Sequence, residues 1–365
     1  MNSKRILTLH AKRYPAMAAE DYVKLLYQSE FGPGHMVDAG DGAMLERLET
    51  EFDRASAEGY APAYTVEAIG GGLCRLHLDP RQLKKEDLPL VLRCFAASAE
   101  SRGSKEGLWT KLGLLAGLSW TGELPLDVEE LEAFLARYDD AGTPAISHSE
   151  GYREAYTPHY RVMDRDLALY LPALKAIDKA LRETEGPVIA AVDGRCAAGK
   201  STFARRAAQV FDSCSVFHMD DFFLPFEKRT PERLAAPGGN VDYERAAAEV
   251  FEPLSRGEDV ALRVFDCSDG SFGEPETIPF RRLNIVEGSY SLHPALSGYS
   301  QVHIFLTCSP EAQMARLEKR ESEKSLQNFK DRWIPMEEAY FEKLSVMDQC
   351  DVVVDTTKLP GRGEN

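Results

Sequence analysis

The stretch from Val188 to Val210 constrains this chain more than any other. Val188–Gly194 reads VIAAVDG, an apolar run that ends in a turn. Gly194-Arg195-Cys196-Ala197-Ala198-Gly199-Lys200-Ser201 follows and fits G-x-x-x-x-G-K-[ST], and Thr202–Val210 has a helical pattern. A strand, a glycine loop and a helix in that order form the context in which backbone amides turn inward onto phosphate oxygens. Gly194 and Gly199 allow a backbone approach that a Cβ would block. Lys200 offers a point charge for β- and γ-phosphates, and Ser201 offers a hydroxyl to Mg2+. Cys196 reads either as a thiol activated near a helix N-terminus or as filler at a variable loop position.

Around this segment, short apolar runs alternate with helical stretches: Val188–Val192, Val216–Met219, Leu283–Val286, Val302–Leu306 and Val352–Val354. The spacing predicts buried parallel strands in an α/β sheet flanked by helices. The first 163 residues read differently. Leu45, Leu48 and Phe52 recur at helical spacing, as do Val128, Leu131, Leu135 and Tyr138, and Ala19–Phe31 and Pro89–Ala97 are further helix candidates. A short extended stretch, Cys74–Leu78, is expected to pair with Tyr64–Ala68 across the glycines at 70–72. An amphipathic helix over Asp164–Glu183 carries Leu167, Leu171, Leu174, Ile177 and Leu181 on one face. The domain boundary is expected just before it, giving a mostly helical domain over 1–163 and an α/β domain over 164–365.

With 365 residues the chain is long enough for two domains. Its net charge of −16 argues against a nucleic-acid partner, because a protein that clamps a phosphate backbone is usually basic. The seven cysteines are widely spaced and include no C-x-x-C pair, which suits reduced thiols rather than a disulfide framework or a zinc ribbon. There is no signal-like apolar core at the N-terminus and no apolar run near the roughly 20 residues that span a bilayer, so the expected location is cytoplasmic and no membrane partner is expected.

Two sets of carboxylates stand at strand ends, where ligands bind in open α/β sheets. Asp220 and Asp221 follow Ser215–Met219, and Glu287 follows Leu283–Val286. Group transfer to an alcohol needs a carboxylate to orient the hydroxyl and accept its proton, and acidic support for a metal. Asp220 reads as that base or as a helix cap. Glu287 reads as a metal-side group beside Ser201 or as a strand end satisfied by amides. His218 and His303, inside apolar runs, read as core or strand residues. His293, just past Glu287, reads as a loop residue or as one that approaches a substrate.

These motifs resemble the uridine kinase and phosphoribulokinase branch of the P-loop kinases over about residues 187–357. The phosphate loop is GRCAAGKST, MDDFFLP is similar to the family's D-x-F-[YF], NVDYE to its N-F-D, and VEGSYSLHP to its strand-ending E-G. The resemblance implies a P-loop NTPase fold, ATP and Mg2+ as cofactors, Asp220 as general base, Asp242 as a ribose-hydroxyl ligand, and Glu287 near the metal and the acceptor. Arg316-Leu317-Glu318-Lys319-Arg320 resembles the start of the lid helix, which implies that Arg316 and Arg320 close over ATP; the plain alternative is a helix with solvated basic residues. Phe265, followed by Asp266, stands where the family has the Tyr-Asp that reads the pyrimidine, and the histidine expected a few residues later is replaced by Gly270.

The implied activity is ATP-dependent phosphoryl transfer to a hydroxyl of a nucleoside similar to uridine or cytidine. A pantothenate or sugar-phosphate acceptor is an alternative. A reading from another class is a nucleotide-binding regulatory switch, although the N-K-x-D segment by which GTPases specify guanine is absent from the sequence. The expected partner is a small-molecule acceptor, and self-association into a homo-oligomer stays open. The His-, Tyr- and Arg-rich stretch 147–161 reads as packing with satisfied polar tips, or as a ligand site, with a metal set of His35, His148 and His159 as a variant that lacks diagnostic spacing. The acidic helix Asp127–Ala136 reads as a solvated face.

Overall fold

The computed structural model describes residues 2–34, 43–100, 102–266 and 269–359. They fall into two compact units that divide between Ala168 and Leu169.

The first unit is mainly helical: α1 (Ser3–Arg13), α2 (Ala19–Phe31), α3 (Ala43–Ala57), α4 (Leu88–Ala97), α5 (Lys105–Trp120), α6 (Val128–Asp140) and α7 (Glu150–Tyr156). Side-chain oxygens of Asn2, Ser104, Asp127 and Ser149 cap the starts of α1, α5, α6 and α7. The anticipated helical spacing buries Leu48 and Phe52 on α3, and Leu131 and Tyr138 on α6. The exposed Glu129, Glu130 and Glu132 form the solvated acidic face of α6.

The unit also contains an antiparallel sheet, β1 (Val66–Gly70), β2 (Leu73–His77) and β3 (Tyr160–Asp164), in that order. The hairpin across the glycines matches the sequence expectation. The third strand differs from it: the end of the stretch 147–161, read as packing, continues into an edge strand that seats Val162 and Met163 in the interior. The pairing spans more than 80 residues, and nothing local in Tyr160–Asp164 announces it.

Helix α8 (Arg165–Glu183) leads into the second unit. Its parallel sheet has the order β12–β11–β4–β10–β5, where β4 is Val188–Gly194, β5 Cys214–His218, β10 Leu283–Glu287, β11 Val302–Thr307 and β12 Val352–Asp355. These are the five anticipated strands. Between β5 and β10 lie α10 (Pro231–Ala235), α11 (Tyr243–Ala246), α12 (Glu252–Ser255) and the small ladders β6 (Val260–Leu262) with β9 (Glu276–Ile278) and β7 (Phe265–Asp266) with β8 (Ser271–Phe272). Helix α9 (Lys200–Val210) follows β4, α13 (Pro294–Ser297) follows β10, and α14 (Pro310–Arg320), α15 (Glu323–Asn328) and α16 (Ile334–Lys343) join β11 to β12.

Strand β4 is buried along its whole length and sits at the centre of the sheet, as a continuous apolar run requires. All five strands run the same way, so the loops after β4, β5, β10 and β11 meet along one edge. Among the described residues no helix is long and apolar enough to cross a membrane.

Candidate functional site

The site is built on that edge. Gly194 ends β4 with φ 135°, and a Cβ there would lie 2.0 Å from the carbonyl oxygen of Leu306. Only glycine fits between β4 and β11 at this point, and the chain leaves the sheet immediately after it. Gly199 then forms the N-cap of α9, whose first-turn amides have no acceptor within the helix. Free amides at the positive end of a helix suit an anion, so this turn is a candidate anion cradle. Lys200 Nζ lies at its mouth and donates to the carbonyl oxygens of Gly194 (2.7 Å) and Arg195 (3.1 Å) and to Ser289 Oγ (3.2 Å). Ser201 is exposed on the same turn, and Thr202 is half-buried beside it.

The remaining loop residues are fixed from outside. Arg195 grips both carboxylate oxygens of Glu338 at 2.6 and 2.9 Å and also donates to Thr307 Oγ1. The Cys196 amide donates to Glu337 Oε2 (2.9 Å), and Gln313 donates to the Cys196 carbonyl (3.0 Å). The Cys196 thiol is buried and its pKa is pushed up, so it fills the variable loop position and is not an activated thiol. Ala197 has φ 57°, and its carbonyl receives Arg316. Ala198 is buried, and its amide closes a turn onto the Arg195 carbonyl.

Asp193, which the sequence reading passed over, underlies all of this. It is fully buried and accepts from the amides of Gly194 (2.7 Å), Tyr290 (3.1 Å) and Leu292 (3.0 Å) and from the Tyr340 hydroxyl (2.9 Å). Burial pushes its carboxyl up to about 6, while the donors and the Lys200 charge pull it down. One side chain thus joins the loop after β4 to the loop after β10 and to α16.

The segment after β5 ends on the same edge, one strand beyond β10. Asp220 is solvent-accessible. The protein crowding it raises its carboxyl above the ordinary range; Glu287 adds to the rise, and Lys200, His218 and Arg320 oppose it. The ammonium of Lys200 and the β10 carboxylate thus both act on it. Asp221 is raised in the same way.

Glu287, nearly buried at the end of β10, pairs in register with His218 on β5, and their side chains meet at 2.6 Å (Nδ1 to Oε1). That contact raises the His218 pKa. His218 is therefore an exposed member of the site and not a core residue: alternation along β5 turns Ser215 and Phe217 inward and His218 outward. Gly288 lets this corner close, since a Cβ there would lie 2.6 Å from the Cβ of Met219.

Other anticipated residues are placed differently. The Asp242 carboxylate is buried, caps α11 through the Arg245 amide (3.2 Å) and takes Lys228 Nζ at 2.9 Å, so both oxygens are engaged. Phe265 is buried against Phe226 and Phe272. Asp266 is exposed on the β7–β8 hairpin, and Cys267 lies outside the described residues. Arg316 spends its guanidinium on the carbonyls of Ala197, Thr356 and Leu359 and on Thr356 Oγ1, behind the loop. Arg320 is half-exposed beside Glu321 and Phe329, within electrostatic reach of Asp220. His293 stacks on Tyr243 at 4.1 Å and caps α13. His303 meets the Ser297 carbonyl.

In the first unit, His148 and His159 are taken by carboxylates. His148 joins Asp21 (2.7 Å) and the Tyr160 hydroxyl (2.6 Å), and His159 joins Glu51 (3.3 Å) and Glu58 (3.5 Å). The polar chain continues from Tyr160 to Gln28 and the buried Arg75. His35 lies outside the described residues, and among the described residues no three side chains are spaced to hold a metal ion.

Residues 196–362, under half of the chain, match the family model of shikimate kinases. The C-terminal unit has the fold of the P-loop NTPases, a five-stranded parallel sheet flanked by helices. The same unit is similar to solved structures. A "possible uridine kinase" from Bacillus stearothermophilus is 21% identical over 50% of this chain and 98% of that one, with a TM-score of 0.39. D-glycerate 3-kinase from Cryptococcus neoformans is 12% identical over 46% and 87%, with a TM-score of 0.36. Likeness at this level carries no argument about activity. No curated protein matches the chain.

Proposed function

We propose that this chain is an ATP-dependent kinase that transfers the γ-phosphoryl group to a hydroxyl of a small metabolite. The observation that carries the reading is the presence of two opposite charges on one sheet edge, within electrostatic reach of each other: Lys200, on the first turn after the glycine loop, and Asp220, whose carboxyl feels both that ammonium and Glu287. An ammonium beside a helix N-terminus suits a triphosphate, and a carboxylate within its electrostatic reach suits an incoming alcohol.

In this reading the cradle amides and Lys200 hold the phosphates in line with the acceptor. Asp220 orients the hydroxyl and takes its proton as the new O–P bond forms. Arg320, within electrostatic reach of Asp220, would offset charge on the transferring group, whereas Arg316 stiffens the loop from behind. Mg2+ suits the donor set as an ion bound largely by nucleotide phosphates, with Ser201 and the Glu287–Asp220 side adding one or two protein oxygens, because Mg2+ rarely needs an all-protein cage. It would supply charge neutralisation.

Two observations favour an acceptor other than a nucleoside. Phe265 is enclosed by phenylalanines, and both oxygens of Asp242 are engaged, so neither residue presents a face to a pyrimidine or a ribose. A panel of uridine, cytidine, pantothenate, D-glycerate, shikimate and sugar phosphates, read by ADP release, tests this. Stimulation by at least one alcohol, lost in Lys200→Ala and Asp220→Asn, is the expected result. Slow hydrolysis that no alcohol changes would instead favour a nucleotide-dependent switch.

A further inference from the structure

Helix α16 touches the phosphate loop at successive points. Tyr340 reaches Asp193, Glu338 holds Arg195, and Glu337 accepts the Cys196 amide. Glu337 is the member of this set that extends to the charge at the mouth of the cradle. It is buried, with one oxygen on the Cys196 N–H at 2.9 Å and the other accepting the Ser289 hydroxyl at 2.6 Å. The Ser289 oxygen in turn receives Lys200 Nζ at 3.2 Å. The hydrogens fix the direction of this chain. A serine has one proton; of its two acceptors, Glu337 Oε1 at 2.6 Å and the Gly194 carbonyl at 3.3 Å, the nearer and charged one takes it, and a lone pair is left for the ammonium.

We infer that Glu337 is a positioning residue for phosphate binding: through Ser289 it sets the place of the Lys200 ammonium, and through the Cys196 amide it sets the first bend of the loop. This inference rests on the phosphate-binding reading of the loop given above. The physical basis is that an ammonium on a four-carbon stem has many rotamers, and an oriented third acceptor, beside the Gly194 and Arg195 carbonyls that Lys200 also meets, narrows them further before the ligand arrives. A carboxylate so near a polyphosphate would repel it if its oxygens were open. Here each oxygen accepts from a neighbouring donor, the Cys196 N–H or the Ser289 hydroxyl, so the carboxylate is aimed at the loop. The arrangement also ties the segment between β11 and β12, which includes Arg320, to the loop it faces.

The test is nucleotide affinity in the full chain, measured by isothermal titration with a non-hydrolysable ATP analogue, beside thermal unfolding. Ser289→Ala and Glu337→Ala are each expected to weaken analogue binding about 10- to 100-fold, as loss of hydrogen bonds to charged groups does. The double variant should be no worse than the weaker-binding single variant, because the two act in series. Glu337→Gln, which keeps an acceptor for one of the two donors, should recover part of the loss. AMP, which lacks the phosphates that Lys200 would meet, should bind all forms with nearly equal affinity, and a merely structural role would not spare it. Wild-type analogue affinity in Ser289→Ala and Glu337→Ala, with Lys200→Ala still defective, would overturn the inference alone. Wild-type affinity in Lys200→Ala would overturn the underlying phosphate-loop reading. If Glu337→Ala does not fold, Ser289→Ala decides by itself, since it removes one oxygen and leaves the carboxylate donor-bound at Cys196.

Discussion

His218 Nδ1 and Glu287 Oε1 lie 2.6 Å apart at the ends of two neighbouring parallel strands. The carboxylate favours the imidazolium, so the His218 pKa stands above its ordinary 6.5. Proton NMR titration should find that elevation in the intact protein, and Glu287→Gln should return the value toward 6.5. The sign for stability follows from linkage: the pair's contribution is fully present below pH 6.5 and is lost as pH rises through the folded-state pKa. An unshifted His218 in the intact protein would show that the contact is absent in solution.

Asp220→Asn removes the proton acceptor and keeps the shape. Turnover should fall by about two to four orders of magnitude, with the thermal midpoint within a degree or two of the parent. In the parent, kcat should decline in acid as Asp220 takes a proton, at a pH above the ordinary aspartate value because its carboxyl is raised. A pH–rate profile that keeps the same acidic limb in the asparagine variant would remove Asp220 from the base role.

Gly194→Ala should be the most damaging small substitution in the loop. The added Cβ would meet the Leu306 oxygen at 2.0 Å, and the φ of 135° suits no L-residue. Overpacking and strain together cost roughly 2–5 kcal/mol, or about 5–15 °C in the midpoint of this unit. Calorimetry would check it, and an unchanged midpoint would mean that β4 and β11 can part without penalty.

Acid should loosen the first unit. Burial lowers His10 to about 4, and the contacts of buried Glu67 with His77, His10 and Arg75 outweigh its burial and lower it to about 2. Unfolded, the two groups bind protons below their ordinary 6.5 and 4.5. In both windows the unfolded chain therefore holds more protons, and stability falls as pH drops from 6.5 to 2. Denaturant midpoints across that range should trace the slope, and Glu67→Gln should flatten its part below pH 4.5.

Phe265→Ala should lower stability by about 3–5 kcal/mol, as a buried phenylalanine does, and leave the KM for the acceptor nearly unchanged. A raised KM at unaltered stability would restore Phe265 as a substrate contact.

The parts of the molecule that could be read from the sequence depend on neighbours in the chain. VIAAVDG followed by GRCAAGKST specifies strand, loop and helix because each turns on residues within a few positions. Asp220 and Glu287 followed from the position of strand ends. The rest depends on contacts between distant segments. Glu337 meets an amide 141 residues away, and Tyr340 meets a carboxylate 147 away. Strand β3 joins a partner across most of its unit, and His218 became a surface residue through the alternation of its strand against a neighbour. Asp242 and Phe265 carry motif-like neighbours, yet Lys228 and a pair of phenylalanines engage them locally, and no pattern of letters distinguishes those outcomes.

Asp193 has a consequence for how the chain matures. Its carboxylate draws donors from residues 194, 290, 292 and 340. During synthesis the sequence that forms the loop emerges long before the tyrosine that completes this carboxylate's set of partners. Until then a desolvated acid would stand at the exit of the central strand one donor short. The loop therefore draws partners from far downstream, and a chain cut just before Tyr340 would lack both this hydroxyl and the Thr356 hydroxyl that donates to the Ala198 carbonyl.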